Sequence, residues 1–160
     1  MLDKLDRIDR KILDILQHDA RINIAELANQ VGLSQTPCGR RIRQLESKGL
    51  ISKQIVVLDQ KKIGLPVTVL IQISLEKQTK DKLEVFETAI SNIPEIMECY
   101  LITGSQSDYM LKATLKDLDH YQHVLLDHLA GIEGVSSINS NFVIRQPVNK
   151  TAYDLEHLGR

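Results

Sequence analysis

Hydrophobic residues recur at three- and four-residue steps near the start of the chain, and polar residues fill the positions between them. The apolar positions of this segment are Leu5, Ile8, Ile12, Ile15 and Leu16. Because side chains at this spacing lie on one face of a helix, the pattern predicts an amphipathic first helix whose outer face carries Asp, Arg and Lys.

Two more helices are predicted from their end signals. Asn23 is a favourable N-cap residue and Gly32 suits the left-handed conformation that follows many helix ends, so a short second helix is expected between them. Ser34 is the predicted N-cap of a third helix that ends at residues 48–49. Pro37 falls in its first turn, where the missing N–H has no intrahelical partner to lose.

The third helix has two different faces. Cys38, Ile42 and Leu45 lie at positions i, i+4 and i+7, which predicts a buried stripe. The opposite, outward face carries Gln35, Thr36, Gly39, Arg40 and Arg43.

The remainder of the chain predicts mainly strands. Residues 51–58 are rich in β-branched side chains and predict a strand, as one arm of a small wing. Residues 59–66 combine charge, Gly and Pro without periodicity and predict a linker. The following pattern predicts the order βαββαβ, with strands at 67–75, 96–103, 109–115 and 135–144. This order predicts a ferredoxin-like sheet with both helices on one face. We expect the open face to be covered by another subunit.

The predicted fold class is therefore α+β, with two domains. Residues 1–58 form a winged helix-turn-helix DNA-binding domain, because a short helix, a Gly turn and a capped basic helix follow one another. Residues 67–160 form a ferredoxin-like effector-binding and oligomerisation domain. The alternative for the first domain is a three-helix packing unit whose arginines are only solvated.

Charge is unevenly distributed along the chain. The net charge is −1, but residues 1–58 carry 10 basic and 7 acidic side chains, whereas residues 59–160 carry 10 and 14. Within residues 34–53, five basic side chains face one acid, Glu46. This local basic patch is a candidate footprint for DNA phosphates.

The composition argues against several other protein classes. With 42% hydrophobic residues and no apolar run long enough for a membrane span, the chain is expected to be cytoplasmic. Cys38 and Cys99 lack the spacing of a zinc site, and no nucleotide or nucleophile motif occurs. His120, His123 and Asp127 lie at helical spacing, which is more typical of a solvated helix face than of a metal site. We therefore expect neither an enzyme nor a metal or cofactor.

The third helix supplies the candidate DNA contacts. The first turn of a recognition helix enters the major groove, so phosphates and base edges are expected next to Ser34, Gln35, Thr36 and Pro37. Arg40 is the best placed to read a guanine, whereas phosphate contacts are assigned to Arg41 and Arg43. Gly39 costs about 0.5–1 kcal/mol relative to Ala inside a helix. It either lets the backbone approach the groove closely or has no function.

A turn between two predicted strands is a candidate ligand site. Free N–H groups near Gly104 would donate hydrogen bonds to a carboxylate, and Asp108 would bind an ammonium group, which together match the two ends of an amino acid. The alternative is that Asp108 serves only the hairpin turn. Ser136 and Ser137, at the start of the last strand, are also candidate ligand contacts, and a purely structural role is again the alternative.

Two segments resemble the Lrp/AsnC, or feast/famine, family of regulators. The sequence LSQTPCGRRIRQLESKGLI at 33–51 resembles the family's reading helix, and CYLITGSQSDYMLKA at 99–113 resembles its effector-domain signature. The resemblance implies dimers formed through the sheets, an octamer of four dimers, and an amino acid effector bound between dimers. The matching effector positions are Tyr100, Leu101, Gly104 and Asp108, with Val135, Ser136 and Ser137 from a neighbour. Gly39 and the polar residues 105–107 depart from the family pattern.

The resulting hypothesis is a transcriptional regulator that binds double-stranded DNA and responds to leucine or methionine. One rival is a metabolite-binding or enzymatic ferredoxin-like domain with a protein-docking head. Another is a DNA-organising protein without an effector. Salt-dependent DNA binding excludes the first rival, and a response to amino acids excludes the second.

Overall fold

The computed structural model describes residues 5–159, which belong to two compact units. The helical unit runs to Val57 and also includes the segment from Pro147 onward, and the sheet unit is Leu58–Gln146. Residues 1–4 and 160, which the predicted domain ranges include, lie outside the described residues.

Three helices build the helical unit, namely α1 (Arg7–His18), α2 (Ile24–Val31) and α3 (Gln35–Ser47). Asp6 caps α1 by accepting the Asp9 N–H, and Asn23 caps α2 by accepting the Glu26 N–H. Gly32 follows α2 with φ of +74°, the left-handed conformation that the sequence predicts there. The core consists of Leu5, Ile12, Leu27, Ala28, Val31, Cys38 and Leu45.

The predicted strand at residues 51–58 is absent, since these residues are described and form no strand. Their β-branched pattern favours a strand, but backbone hydrogen bonds need a partner strand, and the described part of the chain provides none beside them. The side chains of Ile55, Val56, Val57 and Leu58 are between 63% and 69% exposed. This segment therefore presents a short uncovered apolar surface.

The sheet unit confirms the predicted α+β class and strand order. Its strands are β1 (Val67–Leu75), β2 (Ile96–Leu101), β3 (Tyr109–Leu115) and β4 (Val135–Phe142). They form one antiparallel sheet in the order β2-β3-β1-β4. Its helices are α4 (Lys80–Ser91) and α5 (Leu118–His123), and α5 continues as a π-helical turn over Val124–Leu129.

Both helices cover the same face of the sheet. Alternate residues of β1, including Val69, Ile71 and Ile73, are fully buried in one core with Phe86 of α4 and Leu129. The opposite face of the sheet carries the intervening residues and is less buried, as alternation along a strand requires.

The C-terminal tail, described for residues 147–159, packs within the helical unit. The Gln17 side-chain amide donates to the Tyr153 carbonyl at 2.7 Å and accepts the Tyr153 N–H at 2.8 Å. Leu158, in a 3₁₀ turn at Glu156–Gly159, packs against the helical core. The sequence analysis placed this tail in the C-terminal domain, because a contact across more than a hundred residues leaves no local pattern.

No helix within residues 5–159 is long and apolar enough to cross a membrane.

Candidate functional site

The start of α3 presents an open polar surface. Ser34 is the N-cap residue as predicted, but its hydroxyl makes no capping hydrogen bond. Its side chain is exposed, as are those of Gln35 and Thr36, while Pro37 is half-buried. Uncapped N–H groups and a free hydroxyl at a helix start suit a phosphate, because both donate hydrogen bonds and the helix dipole favours negative charge there.

The two faces of α3 separate as the spacing predicts. Cys38 and Leu45 are buried, whereas Arg40 and Arg43 are exposed. The Arg43 side chain folds back along the helix, and its Nη1 atom would lie 3.8 Å from a Cβ atom built at Gly39. Both arginines of the outward face are therefore accessible to a ligand of α3.

Arg41 does not share the open position of Arg40. Its Nη1 atom donates to Asp6 Oδ2 at 2.5 Å and to Asp9 Oδ1 at 2.7 Å. These hydrogen bonds raise the pKa of the Arg41 guanidinium above its ordinary value. The Arg41 side chain therefore points toward α1 and joins α3 to the first helix. The phosphate contact predicted for Arg41 stays a prediction.

The seven predicted effector residues lie at one end of the sheet, where β1 ends, β2 ends, and β3 and β4 begin. The register pairs Leu101 with Tyr109 and Leu75 with Val135 at this end. We call this end the effector edge; its residues are Tyr100, Leu101, Gly104, Asp108, Val135, Ser136 and Ser137. In the single chain, Val135–Ser137 already flank β1 on the side opposite Asp108.

Asp108 joins the hairpin to the end of β1. Its Oδ2 atom accepts the Leu75 N–H at 2.7 Å, and its Oδ1 atom accepts the Gln78 side-chain amide at 2.7 Å. Its own N–H donates to the Ile73 carbonyl at 2.9 Å. The hairpin role that the sequence left open is thus present. Gln78 was missed by sequence reasoning because it lies in the irregular segment before α4, where no spacing marks it.

The rest of the effector edge is held by serine hydroxyls. Gly104 has φ of +82°, which an L-residue rarely adopts, so glycine is required in this turn. The Ser74 hydroxyl donates to the Gln106 carbonyl at 3.2 Å, and the Ser136 hydroxyl donates to the Ser74 carbonyl at 3.0 Å. These bonds link the hairpin, β1 and β4 in one continuous network.

Tyr100 lies on the sheet face away from the helices. Its hydroxyl donates to Glu98, which also accepts the Lys112 ammonium at 2.9 Å. The Tyr100 hydroxyl and Lys112 both lower the pKa of the Glu98 carboxyl. Tyr100 therefore belongs to a polar network of the open sheet face.

The histidines do not assemble a metal site. His120 Nε2 lies 3.0 Å from Glu95 Oε1, and His123 Nδ1 lies 3.3 Å from Asp127 Oδ2. Among residues 5–159, no group of three or more His, Cys, Asp or Glu side chains is arranged to hold a metal ion.

Comparison with known families identifies both units. Residues 5–46 match the AsnC-type helix-turn-helix domain, and residues 68–153 match the Lrp/AsnC ligand binding domain.

Individual relatives agree with this result. The chain is 42% identical over 149 residues to the Bkd operon transcriptional regulator of Pseudomonas aeruginosa, covering 93% of this chain and 97% of that protein. It is 38% identical over 142 residues to the leucine-responsive regulatory protein of Escherichia coli, covering 89% and 86%. A Neisseria meningitidis transcriptional regulator, solved as an L-Met complex, is 34% identical with a TM-score of 0.91, covering 96% of this chain and 99% of that one. An AsnC family regulator from Agrobacterium tumefaciens is 36% identical with a TM-score of 0.90 and the same coverage.

Proposed function

Because the chain belongs to the Lrp/AsnC family of transcriptional regulators, we propose that α3 reads operator DNA and that the effector edge binds an amino acid. The chain is a regulator and not an enzyme. The observation that carries the reading role is the open first turn of α3, with its uncapped N–H groups and the free Ser34 hydroxyl. Double-stranded DNA implies action in the cytoplasm, where operators are accessible.

We assign the DNA contacts to the residues of α3 according to their positions along the helix. Ser34, Gln35, Thr36 and Pro37 approach phosphates and base edges from the helix start, and Arg40 reaches a base. Arg43 contacts a phosphate beside them. Arg41 serves the interface indirectly, since its bonds to Asp6 and Asp9 hold α3 against α1.

We infer that the effector is an apolar amino acid, leucine or methionine. The structural relative from Neisseria meningitidis was solved with L-Met, which supports this ligand class. Gly104 offers backbone N–H groups to the carboxylate. Each Asp108 oxygen accepts one hydrogen bond in this structure and retains a second lone pair for an ammonium group.

We infer further that the chain forms homodimers, with four dimers in an octamer. The uncovered apolar side chains of residues 55–58 and the less buried sheet face both favour a second copy as their cover. A dimer with two helix-turn-helix domains binds DNA more tightly than one domain does. Once the first domain has bound, binding of the second becomes intramolecular.

Calorimetry tests the effector half of this proposal. Leucine and methionine are titrated into the wild-type protein and into Asp108→Asn, which keeps the size of the side chain but removes its charge. Asp119→Asn, an exposed change on α5, is the matched control. We expect binding to weaken by about tenfold or more in Asp108→Asn alone. Unchanged affinity in this variant would remove Asp108 from the site.

Operator binding tests the reading half. Affinity for promoter DNA is measured at several salt concentrations with and without the amino acid. A steep loss of affinity with salt supports phosphate contacts by the basic patch. Binding that ignores both salt and amino acids would contradict the proposed function.

A further inference from the structure

A cleft of about 310 Å³ lies between α4 and the edge strand β2. This volume is near the lower end of the range for small-molecule sites, about 300–1,000 Å³. It is enough for one amino acid. It is lined by residues of α4, of β2 and of the first position of β3.

The cleft adjoins the effector edge through two of its lining residues. Leu101 and Tyr109 are register partners at the point where β2 ends and β3 begins, and both line the cleft. The hairpin between them contains Gly104 and Asp108. A ligand whose polar end lies at this hairpin therefore has the cleft beside it.

The cleft offers uncovered apolar surface. Met97 is 59% exposed and Leu101 is 56% exposed, while Ile90 below them is buried. Covering apolar surface of this kind stabilises a complex by about 25 cal/mol for each Å² removed from water. An apolar side chain is thus the group that gains most by entering.

The charge of the cleft is negative. Its described lining includes the Glu87 carboxylate and no Lys or Arg side chain, whereas the Glu98 carboxylate lies with Tyr100 and Lys112 on the open sheet face. Within residues 5–159, the Glu87 carboxylate accepts the Tyr109 hydroxyl at 2.8 Å and forms no ion pair. An acidic side chain in the cleft would be repelled.

We propose that this cleft is the specificity subsite of the regulator, which receives the side chain of the amino acid effector, accepts neutral apolar groups and rejects acidic ones. The inference rests on the proposed amino acid response. It assigns selection of the effector to four residues, Ile90, Met97, Leu101 and Glu87. Of these, Leu101 also belongs to the effector edge.

Cys99 provides a direct probe of occupancy, because its thiol lines the cleft and its side chain is exposed, whereas Cys38 is fully buried. The rate of alkylation by iodoacetamide is measured on the native full chain, with Cys99→Ser as the reagent control. We expect saturating methionine or leucine to slow alkylation by about tenfold and glutamate to leave it unchanged. A Cys99 that does not react without ligand, or reacts equally fast with methionine bound, would overturn the proposal.

Two substitutions test selectivity without removing the hairpin. Met97→Ala is expected to weaken methionine binding by about fivefold, with Val85→Ala, an exposed change on α4 outside the cleft, as control. Glu87→Gln is expected to reduce discrimination against glutamate by about fivefold, with Glu84→Gln on the same helix as control. Equal effects in the test and control variants would overturn the assignment.

Calorimetry on the wild-type protein separates the two possible failures. If no amino acid binds, the proposed effector response itself is wrong. If methionine binds but Cys99 is not protected and neither variant changes selectivity, the response stands and the cleft is not its specificity subsite.

Discussion

The Nη1 atom of Arg41 lies 2.7 Å from the Oδ1 atom of Asp9, so an arginine of the recognition helix is fixed to the first helix of the same unit. Its neighbour Arg40 has an exposed side chain one position earlier. Adjacent arginines of one basic run thus have different physical surroundings, and this difference is measurable.

We expect Arg41→Ala to lower the free energy of unfolding of the helical unit by about 1–2 kcal/mol, because it leaves two carboxylates without their shared donor. Arg40→Ala should leave stability unchanged and weaken operator binding by about tenfold or more. Denaturant unfolding and DNA titration of both variants check this. Equal stability loss in the two variants would show that the pairing of Arg41 with Asp6 and Asp9 makes no specific contribution to the free energy of unfolding.

Gly39→Ala is expected to stabilise the protein by about 0.5–1 kcal/mol. The residue lies inside α3, and an added Cβ would meet Arg43 Nη1 at 3.8 Å and Ile24 Cδ1 at 4.0 Å, both ordinary contacts. Thermal unfolding measures the stability, and DNA titration shows which interpretation of the glycine holds. Reduced DNA affinity in the stabilised variant supports a close backbone approach to the groove, and unchanged affinity supports a glycine without function.

Acid sensitivity of the helical unit is expected to depend on Asp6. Its bond from the Asp9 N–H, together with Arg41, holds the pKa of the Asp6 carboxyl below its usual value. A folded-state pKa that is lowered contributes stability above about pH 4, and the contribution is lost as pH falls through the folded-state value. Stability measured from about pH 6 to about pH 2 should therefore fall less steeply in Asp6→Asn, which retains an N-cap acceptor. Identical slopes would contradict this account.

Removal of the Gln17 side chain should release the C-terminal tail. Gln17→Ala loses both hydrogen bonds to the Tyr153 backbone, and we expect the Tyr153 amide to exchange with solvent about tenfold faster. Hydrogen exchange followed by mass spectrometry measures this, with the exposed Gln122→Ala on α5 as control. If exchange is unaffected, Leu158 alone holds the tail in place.

Local patterns predicted the elements well because their causes are local. The strand at Val67–Leu75 and the helix boundaries at Asn23, Gly32 and Ser34 follow from alternation and end signals, and the structure places them at the same residues. The predicted effector residues meet at one end of the sheet because antiparallel strand order brings them there.

Long-range contacts account for what the sequence did not show. Arg40 and Arg41 are neighbours in the sequence, so the local pattern does not distinguish them. The packing of α1 against α3 gives Arg41 its two carboxylate partners. The bond from Gln78 to Asp108 could not be read from the sequence, because its two residues lie 30 positions apart in the chain. The strand predicted at residues 51–58 needs hydrogen-bonding partners that the described residues, 5–159, do not provide there.

The docked tail has a consequence for protein engineering. Since the helical unit contains residues from both ends of the chain, the sheet unit is an insertion within it, bounded by junctions near Val57 and Pro147. A chimaera that exchanges sensory modules between regulators of this kind therefore needs two crossover points. One that is spliced only once would take residues 147–160 from the wrong parent and leave Gln17 facing a foreign peptide.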